Sequence, residues 1–349
     1  MNLHSRVVGP AAAVCAVLAL TSCSSGRSVY VGAPTFVPTP SGSGTPTGAD
    51  ATAASQPPAV PGKPGVGRFI TVRSGGLERR YRLHLPLTGP TGRRPLVIAF
   101  HDGGSSALEL ARDSGLDGSA DRNGVIVVYP EGIGGHWTTG LPADRYKTGG
   151  VDDVAFTKDV LLAVTKEARV DLARVAVTGI GDGALMALRY ATLHPSDVLG
   201  VVAISGGLVA GSTPTIPRAP MSVTFVRGTV DPSLPWAGVG IASKIGPQLG
   251  VEQSIVAFLK VNGLAGKAPT VKEQLSDRDP GDRTRVTRTV WGPGLKGTTV
   301  TLFTVVNGGG PWPGGLGNTR AFARIGRVTR DLSGASVVIR FALETRRTP

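Results

Sequence analysis

The chain has 349 residues, enough to bury a sizeable core in one or two domains. Hydrophobic residues at 41 % and charged residues at 17 % exclude a wholly disordered chain, while 50 Gly and 27 Pro signal a part that does not pack. The only two cysteines, Cys15 and Cys23, exclude a disulfide scaffold and a Cys-rich zinc site, and the net charge of +13 raises nucleic acid as a partner, to be tested against where the charges lie.

The chain opens on Met1–Arg6 with one positive charge, then runs almost wholly apolar from Val7 to Leu20. A stretch of about 14 residues is short for a bilayer span and suits the hydrophobic region of a signal peptide. It ends Leu20-Thr21-Ser22-Cys23, which resembles the lipobox of bacterial lipoproteins. That resemblance implies removal of residues 1–22 and lipidation of Cys23, with export to the outer face of the bacterial cytoplasmic membrane. Several acyl chains hold a protein stably where one does not. Residues 23–66 then read as the lipidated N-terminus and a tether. The stretch is mostly Ser, Gly, Thr, Pro, Ala and Val, and its only charges are Arg27, Asp50 and Lys63. It lacks the apolar period needed to offset the entropy of ordering.

Residues 67–349 read as one α/β domain. Phe69–Val72 and Tyr81–Leu85 are expected as an antiparallel pair. Pro95–Phe100, Val125–Tyr129, Val175–Thr178, Val201–Ile204, Ser222–Val226 and Thr299–Phe303 are short apolar runs that suit buried parallel strands. Between them Val154–Ala168, Ala184–Leu193, Val251–Leu259 and Ala335–Leu343 carry helical patterns, and Asp152 and Asp153 stand where they would cap the first. Alternating strands and helices predict a doubly wound, mostly parallel sheet with helices on both faces.

One junction carries chemistry. The strand Val175–Thr178 enters Gly179-Ile180-Gly181-Asp182-Gly183 and runs straight into a helix. A strand that turns sharply through glycines into a helix is the geometry of the G-x-S-x-G nucleophile elbow. The spacing fits, but Gly181 stands where serine would.

Here the sequence resembles the secreted α/β-hydrolases of the polyhydroxybutyrate depolymerase and feruloyl/acetyl-xylan esterase group. Several short motifs match in order over about residues 79–345. Arg80–Pro86 resembles the opening strand. Pro95-Leu96-Val97 through His101-Asp102-Gly103-Gly104 resembles the third strand and oxyanion loop. Val128–Gly132, Val151–Phe156 and Val170–Val175 match further segments. Gly228–Pro232 through Pro235–Gly238 resembles the acid loop, and Gly308–Gly314 resembles the family's Gly-Gly-His-x-Trp-Pro-Gly loop. The resemblance implies an α/β-hydrolase fold and a carboxylic-ester hydrolase ancestry, with no cofactor and no metal.

The departures bear on function. Gly181 occupies the nucleophile position, Gly310 the histidine position, and only the acid, Asp231, remains. The five histidines are at 4, 84, 101, 136 and 194, so none follows Asp231. Chain order in α/β-hydrolases is nucleophile, acid, histidine. Without an Oγ no acyl-enzyme forms, and without an imidazole no proton is shuttled. Asp102 replaces the glycine beside the oxyanion loop, and Asp182 carries the N–H that would donate to an oxyanion. His101, Asp102, Gly103, Gly104, Asp182 and Trp312 are the candidate binding residues around this centre, with Trp236 and Trp137 also expected on the cleft rim.

Other readings share these residues. His101 also reads as a structural histidine at a strand end, Trp312 as packing, and Asp231 as holding its own loop. Ala203–Gly207 could be an elbow with Ser205 as nucleophile, but a Gly/Thr/Pro-rich loop follows it. Asp182 could form an ester but stands one residue out of phase. Gly179–Ala184 fits G-x-G-x-x-A for a dinucleotide, yet Ser205 stands where the ribose-binding acid belongs. Asp102, Asp182 and Asp231 together could attract a cation.

The positive charges are scattered, as in Arg79-Arg80, Arg93-Arg94 and Arg346-Arg347. No aromatic-interleaved basic motif marks a nucleic-acid module. Anionic lipid headgroups or wall polymers suit such a surface better. The sequence therefore predicts a lipid-anchored, non-catalytic member that binds an envelope glycan, polyester, lipid or partner; an esterase with an unorthodox site is the rival.

Overall fold

A computed structural model describes residues 65–89, 92–210, 216–239, 246–315 and 326–345. The leader, Cys23 and the tether to residue 64 lie outside the described residues, as does the loop at 211–215 that follows Ser205.

Ten strands form one sheet. In chain order they include β1 (Arg68–Ser74), β2 (Leu77–His84), β3 (Arg94–Phe100), β4 (Ile126–Pro130), β5 (Val170–Ile180), β6 (Gly200–Ile204) and β7 (Ser222–Gly228). A separate two-residue pair, β8 (Gly238–Val239) and β9 (Gln248–Leu249), precedes β10 (Val271–Gln274), β11 (Arg285–Trp291) and β12 (Val300–Val306). The sheet order is β1-β2-β4-β3-β5-β6-β7-β12-β11-β10. The six strands from β4 to β12 are parallel, and the outer ones pair antiparallel.

The central strands are apolar because both faces are covered: β4, β6 and β7 are buried at every residue. On one face α4 (Asp153–Glu167), α5 (Asp182–Leu193) and α6 (Val251–Val261) close over a core that includes Phe100, Phe156, Tyr190, Phe225 and Phe258. Burying each such side chain contributes about 1.5–3 kcal/mol. On the other face α1 (Ala107–Ser114), α2 (Leu116–Asn123) and α7 (Gly334–Glu344) cover Val97, Ala99, Val127, Ala176 and Val202. The short α3 (Asp144–Thr148) lies in the long connection after β4.

Helix α4 shows how local sequence sets an element. Asp152 is its N-cap, and its side chain accepts from the N–H groups of Val154 and Ala155. Asp153 departs from the capping expectation. It is buried, pairs with Arg79 at 2.7 Å and accepts from the Thr138 N–H, while Arg79 stacks on Phe156. That ion pair ties β2 and the loop after β4 to the start of α4.

The chain passes from β3 outward to β4, then crosses back to β5 on the other side of β3. Such a reversal leaves a crevice at the carboxyl ends of β3 and β5, the usual ligand position in open α/β sheets. The loops after β3 and β5 carry Asp102 and Gly181.

Candidate active site

The elbow is intact in backbone and empty in side chain. Gly181 follows β5 with φ 53° and ψ −121°, a conformation that glycine adopts without penalty, and its carbonyl accepts from Ala184 and Leu185 as α5 begins. The flanking glycines are sterically required. A Cβ on Gly179 would stand 2.2 Å from the Gly183 carbonyl oxygen, and one on Gly183 would stand 2.2 Å from that of Phe100.

The loop after β3 reaches this turn. Asp102 Oδ1 accepts from the Gly103 N–H at 2.8 Å and from the Asp182 N–H at 3.0 Å. A Cβ on Gly181 would stand only 2.0 Å from the same oxygen. Burial, then the neighbouring Asp182 charge, push the Asp102 carboxyl up to about 6, against the pull of its two N–H donors. The Asp182 side chain is part-exposed, with Oδ2 3.7 Å from His136 Nδ1. A Cβ on Gly103 would meet that Oδ2 at 2.3 Å, and the Gly104 N–H donates to the Gly135 carbonyl. Asp102, Gly103 and Asp182 are therefore brought together around Gly181, and Gly104 fixes the loop from behind.

His101 and Trp312 are placed differently from the binding expectation. His101 is fully buried. Its Nδ1 lies 2.8 Å from the Asp102 carbonyl and its Nε2 accepts from the Gly132 N–H. That assigns the neutral ring with the proton on Nδ1, and burial lowers its pKa further. It is a structural histidine joining the loops after β3 and β4. Trp312 is 2 % exposed and belongs to the core beneath α7, not to a rim. Trp137 is also buried; its Nε1–H donates to the His101 carbonyl, and its ring meets Phe100 edge-on. Trp236 packs half-buried against the α4–α6 core.

Asp231 follows β7 and is 4 % exposed. Its Oδ1 accepts from the N–H groups of Ser233 and Leu234, while Oδ2 has no direct hydrogen-bond partner in normal geometry. Burial raises its pKa, opposed by those two N–H groups, the Arg227 charge and the Ser205 hydroxyl. Gly310 lies against it: a Cβ there would stand 2.8 Å from Asp231 Oδ2. Ser205 is buried at φ 49°. None of the described residues 206–210 after it is helical, so it sits on no elbow.

Two residues escaped sequence reasoning. Arg227 is fully buried and donates to the carbonyls of Gly206 and Leu234, so it braces the acid loop; it reads as an ordinary strand residue because its partners are backbone atoms. His136 reaches the elbow from the loop after β4, a connection signalled only by the glycines at 132, 134 and 135. Among the described residues no group of three or more His, Cys, Asp or Glu side chains is placed to hold a metal ion, and Asp102, Asp182 and Asp231 form none. Two open grooves of about 830 and 930 Å³ include neither Gly181 nor Gly310 in their linings.

Comparison with known proteins fits this geometry. Residues 79–257 match the family described as Esterase PHB depolymerase. The chain belongs to that family. It is 32 % identical over 279 residues to NocK of Nocardia uniformis subsp. tsuyamanensis, named as an esterase, covering 77 % of this chain and 80 % of that protein. It is 27 % identical over 195 residues to feruloyl esterase B of Piromyces equi, covering 52 % of this chain and 35 % of the other. Among solved structures, the acetyl xylan esterase from Aspergillus awamori aligns with a TM-score of 0.47 at 18 % identity, over 68 % of this chain and 93 % of its own. The sheet order and the elbow make this esterase-family fold an α/β-hydrolase.

Proposed function

We propose that this esterase-family chain is an exported, lipid-anchored protein that binds through its hydrolase fold and does not hydrolyse esters. One observation carries the reading. The elbow and the acid loop both fold, yet the positions facing Asp102 and Asp231 are Gly181 and Gly310. No hydroxyl stands on the turn, and no imidazole stands between it and the acid. Loss of either group in a serine protease costs on the order of 10⁶ in kcat.

Anchoring rests on Leu20–Cys23, and among the described residues no helix is long and apolar enough to cross a membrane. The ligand class follows from place and charge: an envelope glycan, polyester, lipid or partner, with the net +13 favouring anionic surfaces. The second reading is an ester hydrolase that uses His136 beside Asp182, 3.7 Å apart.

The test is direct. The purified chain, with p-nitrophenyl acetate and butyrate as substrates, is expected to match buffer, and a fluorophosphonate probe is expected to leave it unlabelled. Turnover above buffer that is lost in His136→Ala establishes the second reading instead. In a bacterial host, radiolabelled palmitate is expected in the wild-type chain and absent from Cys23→Ala; equal labelling removes the anchor.

A further inference from the structure

We propose that Asp102 is an internal occupant of the oxyanion hole, a carboxylate that takes the place of the negative oxygen of a reacting ester and keeps the site closed. The inference deepens the non-catalytic reading above and rests on it. An oxyanion hole is a pair of backbone N–H groups aimed at a position where charge develops. Here those groups are the N–H of Gly103, in the loop after β3, and the N–H of Asp182, the first residue of α5. Both are accepted by one atom, Asp102 Oδ1, at 2.8 and 3.0 Å. The N-terminus of α5 adds favourable potential for that charge.

The same oxygen also fills the nucleophile's room. A side chain on Gly181 would begin 2.0 Å from Asp102 Oδ1, well inside van der Waals contact. One carboxylate therefore replaces two things at once, the oxyanion and the stem of the missing serine. Restoring a serine alone forces Asp102 out of the N–H pair or bends the elbow. At Gly310 a Cβ would also meet a carboxylate, Asp231 Oδ2 at 2.8 Å, but that oxygen accepts from no N–H pair.

Two acids act on Asp102, Asp182 from α5 and Asp231 from the loop after β7. The neutral, buried His101 precedes it in the chain, and His136, from the loop after β4, lies 3.7 Å from Asp182 Oδ2. The acids disfavour its charge and the two N–H groups favour it, so the contact weakens as the carboxyl takes up a proton.

The first arm compares Gly181→Ser/Gly310→His with the same pair plus Asp102→Gly, in the full chain. The double variant is expected to stay unlabelled by fluorophosphonate, and the triple variant to hydrolyse p-nitrophenyl acetate at least about 100-fold faster than the double. A double variant as fast as an active triple overturns the proposal. The second arm needs no turnover. In wild-type protein the Gly103 and Asp182 amide signals, followed by ¹H–¹⁵N NMR, are expected to move together with pH. In Asp102→Asn, which keeps the shape of the side chain, that movement is expected to disappear while the rest of the spectrum stays folded. Amides that do not titrate, or that titrate equally in Asp102→Asn, overturn the proposal even if neither serine variant is active. Hydrolysis by the wild-type chain would instead refute the non-catalytic reading and leave the amide result to stand or fall by itself.

Discussion

The elbow side and the acid-loop side of the site each set a glycine against a carboxylate, and they settle differently. At the elbow, Asp102 fills the space and both exposed N–H groups gain an acceptor. At the acid loop, Asp231 is held by two N–H groups on Oδ1 with support from the Ser205 hydroxyl, and its Oδ2 faces Gly310. The first half is satisfied within itself. The second depends on Arg227, whose buried guanidinium donates to Gly206 and Leu234 and lowers the cost of the Asp231 charge. A glycine facing a carboxylate is thus accommodated in two ways: by N–H donors that the carboxylate satisfies, or by a buried cation that braces the acid's loop.

The largest expected effect tests that dependence. Arg227→Met keeps much of the volume but strands two carbonyl acceptors and removes the Arg227 charge that favours the Asp231 carboxylate. Burial already lowers the Arg227 pKa to about 10, which shows how far the charge is from water. Leaving each buried carbonyl without its donor costs about 1–3 kcal/mol. Urea denaturation at neutral pH is the measurement. A loss below about 1 kcal/mol would show that the acid loop is held by other contacts, and the contrast between the two halves would fail.

A smaller effect of opposite sign is expected at the elbow. The Asp102 carboxyl is raised from 3.8 to about 6, so the folded chain holds that proton more tightly than the unfolded chain does. Stability associated with this group is therefore present below about pH 4 and is lost as pH rises to about 6, then stays flat. The full shift corresponds to about 3 kcal/mol. Partial solvent contact of the side chain reduces this to on the order of 1–2 kcal/mol. Asp102→Asn should remove that part of the loss, so the difference in unfolding free energy between pH 4 and pH 7 should shrink in the variant. An unchanged difference would mean that the Asp102 charge is not under strain.

Much of this was legible in the sequence, for physical reasons. The apolar runs at 95–100, 125–129, 175–178, 201–204 and 222–226 became central strands because a strand covered on both faces must be apolar at nearly every position. The elbow was legible because its crowding demands glycine at 179 and 183. Strands β10 and β11 were not foreseen: Val271–Gln274 and Arg285–Trp291 mix charged and apolar residues, as outer antiparallel strands do. Helices α1 and α2 were also missed, because each has only eight residues and Gly115 both ends one and begins the other. Asp102 could be named from its position beside the elbow, but its acceptor role needed the spatial meeting of residues 80 apart. His101 and Trp312 each carried a binding and a packing reading, because a place in a family loop says nothing about which way the ring turns; both rings are buried, as the packing reading has it.

Trp312 gives the smallest effect and separates packing from binding at Gly310. The ring is 2 % exposed, and its Nε1–H has no hydrogen-bond partner. A Cβ on Gly334, the first residue of α7, would stand 2.6 Å from that nitrogen, so the helix seats directly against the indole. Trp312→Phe removes buried ring volume, which destabilises, and also removes an unpaired buried N–H, which stabilises. The two contributions oppose, so the net change in unfolding free energy is expected to stay within about 1 kcal/mol. Binding to anionic vesicles or wall material, measured at low and high salt, is expected to be the same as in the wild type. A variant with unaltered stability and lost binding would place Trp312 at a ligand after all, and would mean that α7 moves away from the Gly310 loop when the ligand enters.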